Sequence, residues 1–393
     1  MKIQKSIIAV VVALLICAVA IIVVWVKFPN KQTTDLTNAP VTELKTTPIT
    51  QLFEKLIIPE NAGGGRHPQL FHPINGAMYI FYLTDKGVLQ YVKIDEEGNV
   101  LDEPRAFSTG DAEVTSFELE QTGDNGFLVY ERNNAERREF VLEKINDRVQ
   151  SSGTAVIAGT SLSNAPLKGK EDETFASAHI FTTGDILNVI TQIHGTTAGK
   201  QLRLRRFTPE LAPVGEAQDL ATGDRALIGA AAQAGFETGK GFSLLTTMRL
   251  KGTELCPAPD QTTQTEIMAL NYDQDGAFLD RTQLTQGSRL THHPIAARTH
   301  NGKIFTAFYV HESTTGFPAC SNGDIPIAGS LNITVFNANL AEINKAVLRF
   351  TKSGTPGPAD IFVSDEAIYA AYELNRTNEI AGPRALMFAK YDF

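Results

Sequence analysis

The chain has 393 residues, of which 42% are hydrophobic and 20% are charged, as in a globular protein with a substantial core. Its formal net charge of −9 argues against nucleic acid as a partner, because binding to phosphates needs a basic surface.

The first element in chain order is an apolar segment. Residues 7–26 contain no charge and follow two lysines, and a helix of about 20 apolar residues spans the ~30 Å hydrocarbon core of a bilayer. The sequence therefore predicts a cytoplasmic N-terminus over residues 1–6 and one transmembrane signal anchor over 7–26, in contact with membrane lipid. A cleaved signal peptide is the alternative, since Ala18-Val19-Ala20 has the form of a cleavage site.

A polar tether and a cysteine pair indicate the compartment. Residues 27–46 are rich in Thr, Asn and Pro and show no hydrophobic period, which is typical of a flexible linker. Beyond the apolar segment the only cysteines are Cys256 and Cys320. Such a pair suits an oxidising compartment and predicts a disulfide, although two unrelated buried thiols are the alternative. We therefore expect a single-pass protein of a bacterial inner membrane with residues 47–393 in the periplasm.

The rest of the chain reads as six repeats, with a period of roughly 50 to 65 residues, that each contain four strands. In each repeat a short first strand of mainly small residues precedes a second strand rich in aromatic and β-branched residues. The third strands of the six repeats end at Asp95, Asn146, Thr208, Asp273, Asn337 and Asp392. The predicted second strands are 77–85, 126–133, 186–194, 241–249, 303–311 and 367–374. The predicted first strands are 67–73, 114–120, 175–181, 227–233, 293–299 and 359–364.

The sixth repeat lacks a fourth strand, and the alternating segment 49–61 can supply it. The prediction is an all-β, six-bladed β-propeller over residues 47–393, closed by an N-terminal strand that completes the last blade. The pattern resembles divergent β-propeller repeats in general, and this resemblance implies architecture only. The sole Trp, Trp25, lies in the apolar segment, which excludes the Trp-bearing repeat motifs of named propeller families. An open β-sandwich with a separate domain is the alternative.

Candidate binding residues lie on one face of the predicted propeller, where the second-to-third and fourth-to-first loops are expected together. We call the polar residues predicted there the predicted mouth; they are Arg66, His67, Glu131, Arg225, His292, His293, His311 and Glu373. Arg and His suit an anionic ligand, and three of the histidines could bind a metal, but none has the fixed local spacing of a zinc motif. The alternative is that these residues are polar because they meet water. No metal and no cofactor are expected.

Two functions fit these predictions. The first is a non-enzymatic scaffold, or an accessory subunit of an envelope complex, that binds a protein partner. The anchor, the tether, the broad polar face and the lack of a catalytic motif favour it. The alternative is a hydrolase or lyase that acts on a glycan or an anionic ligand at the predicted mouth. The sequence names no substrate for this alternative.

Overall fold

A computed structural model describes most of the repeat region. The described residues are 49–59, 62–73, 77–109, 113–133, 137–161, 172–195, 199–221, 234–249, 265–285, 290–312, 329–350, 355–375 and 384–393. No helix among these residues is long and apolar enough to cross a membrane. The predicted anchor (7–26) and tether (27–46) lie outside the described residues, as do Cys256 and Cys320.

The described chain forms 24 strands in six antiparallel four-stranded units, which confirms the predicted six-bladed β-propeller. A single parallel pair, Thr265 with Thr291, joins the fourth and fifth units into one eight-stranded sheet. Unit 1 contains β2 (Arg66–Phe71), β3 (Met78–Leu83), β4 (Leu89–Ile94) and β5 (Arg105–Ala106). Unit 2 contains β6 (Glu113–Thr122), β7 (Asn125–Asn133), β8 (Arg137–Ile145) and β9 (Ser151–Ser161). Unit 3 contains β10 (Asp172–Thr183), β11 (Ile186–Gly195), β12 (Gly199–Phe207) and β13 (Gln218–Leu220).

The second half of the ring repeats this order. Unit 4 contains β14 (Ala234–Thr238), β15 (Gly241–Arg249), β16 (Thr265–Asp273) and β17 (Phe278–Gln283). Unit 5 contains β18 (Leu290–His300), β19 (Lys303–Glu312), β20 (Gly329–Phe336) and β21 (Glu342–Phe350). Unit 6 contains β22 (Thr355–Val363), β23 (Ile368–Asn375) and β24 (Arg384–Asp392), and β1 (Thr50–Ile58) pairs with β24 as its fourth strand.

A recurring turn explains why the repeats align where they do. In units 1 to 5 the residue at the end of the third strand, or directly after it, accepts through its side-chain oxygen the backbone N–H of the residue four positions later. The residue three positions after it has a positive φ in every case: Gly98, Val149, Leu211, Gly276 and Leu340. Asp, Asn and Thr form such turns through their short side-chain oxygens. The Asp273–Gly276 segment, which superficially resembles a calcium loop, is this turn.

The core is divided among the interfaces between neighbouring units. Buried clusters join units 1 and 2, 2 and 3, 3 and 4, 4 and 5, 5 and 6, and 6 and 1. In the last of these, Phe388 and Ala371 of unit 6 pack with Ile80 and Tyr82 of unit 1. Because each unit buries both faces of its sheet against a neighbour, the six units form a ring.

One predicted strand differs from the structure. The described part of the first strand of unit 4 is β14 (Ala234–Thr238), whereas the sequence predicted this strand at 227–233, which lies outside the described residues. Thr238 pairs with Gly241 across a two-residue turn, so the strand must run directly into that turn. The prediction was placed on the preceding segment because its residues are small, and small residues are expected on an innermost strand.

Candidate functional site

A cavity of about 870 Å³ lies at the end of the ring where the first strands stop. Each first strand contacts the first strands of its two neighbours, so together they surround the axis. All six contribute to the wall, with Leu70, Glu120, Phe181, Gly235, Ala297 and Phe362. We call this space the axial cavity.

Arg298 connects two carboxylates across the axial cavity. Its Nη2 donates to Asp360 Oδ1 at 2.8 Å, and its Nη1 lies 3.9 Å from Glu120 Oε2. Asp360 also accepts the backbone N–H groups of Leu70 at 2.9 Å and of Ile361 at 2.8 Å. The side chain of Asp360 is 1% exposed and that of Arg298 is 25% exposed. The guanidinium therefore compensates a fully buried charge while it still reaches solvent in the cavity.

Two glutamates lie on the same face of β6. Glu120 Oε1 accepts the backbone N–H of Thr182 at 3.2 Å and its hydroxyl at 3.0 Å. Glu118, two residues earlier, lies with its Oε1 3.4 Å from His179 Nδ1. Successive residues of a strand point to opposite faces, so residues two apart share one face. The carboxyls of Glu118 and Glu120 therefore belong to one group with Arg298, Asp360 and, on β10, His179, and we call this group the axial cluster.

Burial raises the pKa of all three carboxyls, but their neighbours oppose the shift to different extents. It raises the pKa of Glu118 well above its usual range, and the charges of Asp360 and Glu120 add to the effect, with only Arg298 opposing it. Burial also raises the pKa of Glu120, but Arg298 and the hydrogen bonds from Thr182 oppose the shift. Burial likewise raises the pKa of Asp360, against Arg298 and two backbone N–H groups. Glu118 therefore keeps its proton to the highest pH of the three.

This arrangement suits proton transfer. A carboxyl that holds its proton can act as a general acid, while a nearby carboxylate held ionised by a cation and hydrogen-bond donors can act as a base or nucleophile. Environments that push two carboxyls toward different protonation states are characteristic of acid–base sites.

The same shifts predict how stability depends on pH. The folded state binds more protons than the unfolded state at any pH between the usual carboxyl range and the raised folded pKa values. We therefore expect these groups to make the free energy of unfolding rise as pH falls from 7 toward about 4.5, at about 1.4 kcal/mol per unit of pKa shift. Urea unfolding at both pH values should show a smaller rise in Glu118→Gln than in the wild type.

The control for this pH prediction is Glu113→Gln, which removes an exposed carboxylate from the same strand. It should retain the wild-type dependence. A Glu118→Gln variant with an unchanged pH dependence would contradict the assignment of the retained proton to Glu118.

The structure brings three residues of the predicted mouth together, at the other end of the first strands. Arg66 Nε lies 2.9 Å from Asp85 Oδ1, with both side chains 39% exposed. The backbone N–H of His67 donates to Glu373 Oε1 at 2.7 Å, and Glu373 Oε2 lies 3.7 Å from Arg384 Nε. Units 1 and 6 thus form a local network of charged groups here.

The other predicted residues are distributed differently. Glu131, on β7, is 2% exposed. His311 pairs in register with Thr291, next to His292 and His293 on β18, so the backbone places the three histidines at one end of unit 5. Their side chains and all of Arg225 lie outside the described residues. Their part in ligand binding stays a prediction.

Among the described residues no group of three or more His, Cys, Asp or Glu side chains could hold a metal ion. The axial cluster was not predicted from the sequence, although the alternation of glutamates with apolar residues on one strand indicates it. Glu118 and Glu120 alternate with Phe117 and Leu119 on a predicted innermost strand. A charged residue enclosed by six units must be paired or functional, because an isolated buried charge is costly.

Comparison with known proteins identifies the fold alone. No protein-family model and no curated protein sequence matches the chain. The solved GH93 α-L-arabinofuranosidase of Fusarium graminearum is similar with a TM-score of 0.55 and 10% identity over 86% of this chain and 97% of that one. The α-L-arabinanase of Penicillium chrysogenum is similar with a TM-score of 0.53 and 13% identity over 86% and 98%. The Trypanosoma rangeli sialidase gives a TM-score of 0.50 and 11% identity over 87% and 58%.

These comparisons correct the leading functional prediction. The non-enzymatic scaffold or accessory subunit is wrong as the preferred interpretation, because the matched propellers are glycoside hydrolases. The lack of a local catalytic motif favoured the scaffold. However, the axial cluster is assembled from four strands that are distant in sequence, so its chemistry leaves no local motif.

Proposed function

We propose that this protein is a glycoside hydrolase whose acid–base pair is Glu118 and Glu120. The observation that carries the proposal is the pair of carboxyls on one face of β6, of which Glu120 lines the cavity of about 870 Å³ and lies 3.9 Å from the guanidinium of Arg298. Propeller glycoside hydrolases of the same fold support it. Two carboxyl groups that flank a glycosidic bond are the usual requirement for its hydrolysis.

Glu118 acts as the general acid and Glu120 as the general base. Glu118 gives its proton to the glycosidic oxygen as the bond from that oxygen to the anomeric carbon breaks. Glu120, whose raised pKa is limited by Arg298 and by the hydrogen bonds from Thr182, takes a proton in its ionised form from the water that attacks the anomeric carbon. The proton gained by Glu120 then returns to Glu118 through solvent. Arg298 and Asp360 act as positioning residues, since the ion pair that they form fixes the charge beside Glu120.

The test is hydrolysis of a panel of polysaccharides and aryl glycosides by the purified domain, measured as release of reducing ends or of the aryl alcohol. We expect release from at least one member of the panel, with a rate that falls at both low and high pH because one carboxyl must be protonated and the other ionised. No release from any member at any pH between 4 and 8 would overturn the proposal.

The position in the cell is also a proposal. Residues 7–26 anchor the chain in a bacterial inner membrane, residues 27–46 tether it, and the segment after the tether closes the ring in the periplasm, where Cys256 and Cys320 form a disulfide. The length and apolarity of 7–26 support the anchor, and the pairing of β1 with β24 supports the closure.

Alkaline carbonate extraction of membranes tests the anchor. The full chain should stay in the membrane pellet, while a variant lacking residues 1–46 should be released. Release of the full chain at its full mass would contradict the anchor.

A further inference from the structure

We propose that the open end of the axial cavity selects glycans that carry free amino groups. The inference rests on the proposed function, because it names the substrate class for the same cavity.

The wall of the axial cavity is electronegative. The acidic residues that line it are Glu120, Glu237 and Asp365, and Asp360 lies behind them. Arg298 is the one Lys or Arg among the described lining residues, and its charge is shared between Asp360 and Glu120. A concave site with one sign of charge concentrates ligands of the opposite sign. Cationic ligands are therefore favoured in this cavity.

The rim provides carboxylate oxygens that a ligand can use. Asp365 is 81% exposed, and both His300 Nε2 and Asn301 Nδ2 contact its Oδ1 at 2.9 Å. Glu237 accepts the backbone N–H of Gly184 through Oε2 at 3.2 Å. In the described part of the chain no hydrogen bond reaches Asp365 Oδ2 or Glu237 Oε1. An ammonium group with three donors can therefore bind either oxygen.

An aromatic surface completes the rim. Phe362 is partly buried and stacks on His72, with ring centroids 4.8 Å apart. Burial lowers the pKa of His72, so this imidazole is neutral at pH 7 and does not repel a cation. Aromatic faces attract ammonium groups and also pack against the apolar faces of sugar rings. Phe362 and Asp365 are three residues apart at the end of β22, on the same part of the rim.

An acidic sugar has no comparable partner in the cavity. Its carboxylate would need a cation, and the guanidinium of Arg298 is already bonded to Asp360 at 2.8 Å. Taking this guanidinium would leave the buried carboxylate of Asp360 uncompensated, which is strongly unfavourable. Uronic-acid glycans are therefore disfavoured in the axial cavity relative to glycans that carry free amino groups.

Calorimetric titration of three tetrasaccharides into the wild-type protein tests the inference: a glucosamine tetramer, its fully N-acetylated form and a galacturonate tetramer. We expect the glucosamine tetramer to bind at least about tenfold more tightly than the others at low salt, with the difference shrinking at high salt. In the double variant Asp365→Asn, Glu237→Gln the preference should fall by about tenfold. Glu210→Gln, an exposed carboxylate in the turn after β12, is the control.

Equal affinity for the three tetramers, tighter binding of galacturonate, or an unchanged preference in the double variant would overturn the inference. Because both substituted residues are exposed, an unchanged urea midpoint will show that the double variant is folded. Binding of the glucosamine tetramer without cleavage of any glycan would overturn the hydrolase and leave the selectivity standing. Preferential cleavage of an acidic glycan would support the hydrolase and overturn the selectivity for amino groups.

Discussion

Replacing Glu120 by Gln is expected to lower the rate of glycoside hydrolysis by about 10² to 10⁴, the usual contribution of a positioned acid or base. Gln keeps the volume and can still accept the hydrogen bonds that Thr182 donates to Glu120 at 3.2 and 3.0 Å. It cannot take a proton from water. The fold should be preserved, and the loss should appear in kcat more than in KM because the interaction matters most in the transition state.

The measurement for this variant is steady-state kinetics across pH on whichever substrate the wild type cleaves. Glu118→Gln should lose activity to a similar extent and should also lose the fall in rate at high pH, since that fall reports the acid. Glu113→Gln, on the same strand and exposed, should retain wild-type kinetics. Wild-type rates in both the Glu118 and the Glu120 variants would place the active site elsewhere in the protein.

The second large effect is on stability. Arg298→Met should lower the free energy of unfolding by about 3–5 kcal/mol, because it leaves the buried carboxylate of Asp360 without its cation. Asp360 is 1% exposed and lies 2.8 Å from the guanidinium. The two N–H groups that Asp360 accepts, from Leu70 and Ile361, offset only part of the loss. Urea unfolding at pH 7 measures the change.

Two further variants separate this explanation from a general effect of losing an Arg. Arg203→Met breaks a pair with Asp219 of similar length, 2.7 Å, in which the Asp is 49% exposed; its cost should be at most about 1 kcal/mol. The double variant Arg298→Met, Asp360→Asn should recover much of the stability lost in Arg298→Met, because the buried charge is then absent. A double variant no more stable than Arg298→Met would contradict this account.

The sequence was sufficient to predict the fold because each unit carries its own local signals. The residues that end the third strands, such as Asn146 and Asn337, are also the residues whose side chains close the following turns. They are constrained by the geometry of the turn in units 1 to 5, and their spacing therefore indicates the period. Three positions later in those turns the chain has Val149 and Leu340, with φ of 59° and 62°, so glycine does not mark these turns.

The axial cluster could not be predicted in the same way. Its groups come from β6, β10, β18 and β22, and their proximity depends on how the units are arranged around the axis. The predicted mouth was placed on the face where propellers generally bind their ligands. The axial cavity, in the described part of the chain, opens at the opposite ends of the first strands. Alternation alone shows that Glu118 and Glu120 share a face, but it does not show that Arg298 faces them.

The pairing of β1 with β24 has a consequence for biosynthesis. Glu54 on β1 accepts a hydrogen bond from Tyr372 on β23, and these residues are 318 positions apart in the chain. On the ribosome β1 emerges early, but its partner strand is made only after all the other units. Contacts of such long range are slow to form, and an unpaired strand is prone to aggregation while it waits. We therefore expect the pairing of β1 with β24 to be a late step in folding, during which the unpaired β1 is exposed to aggregation.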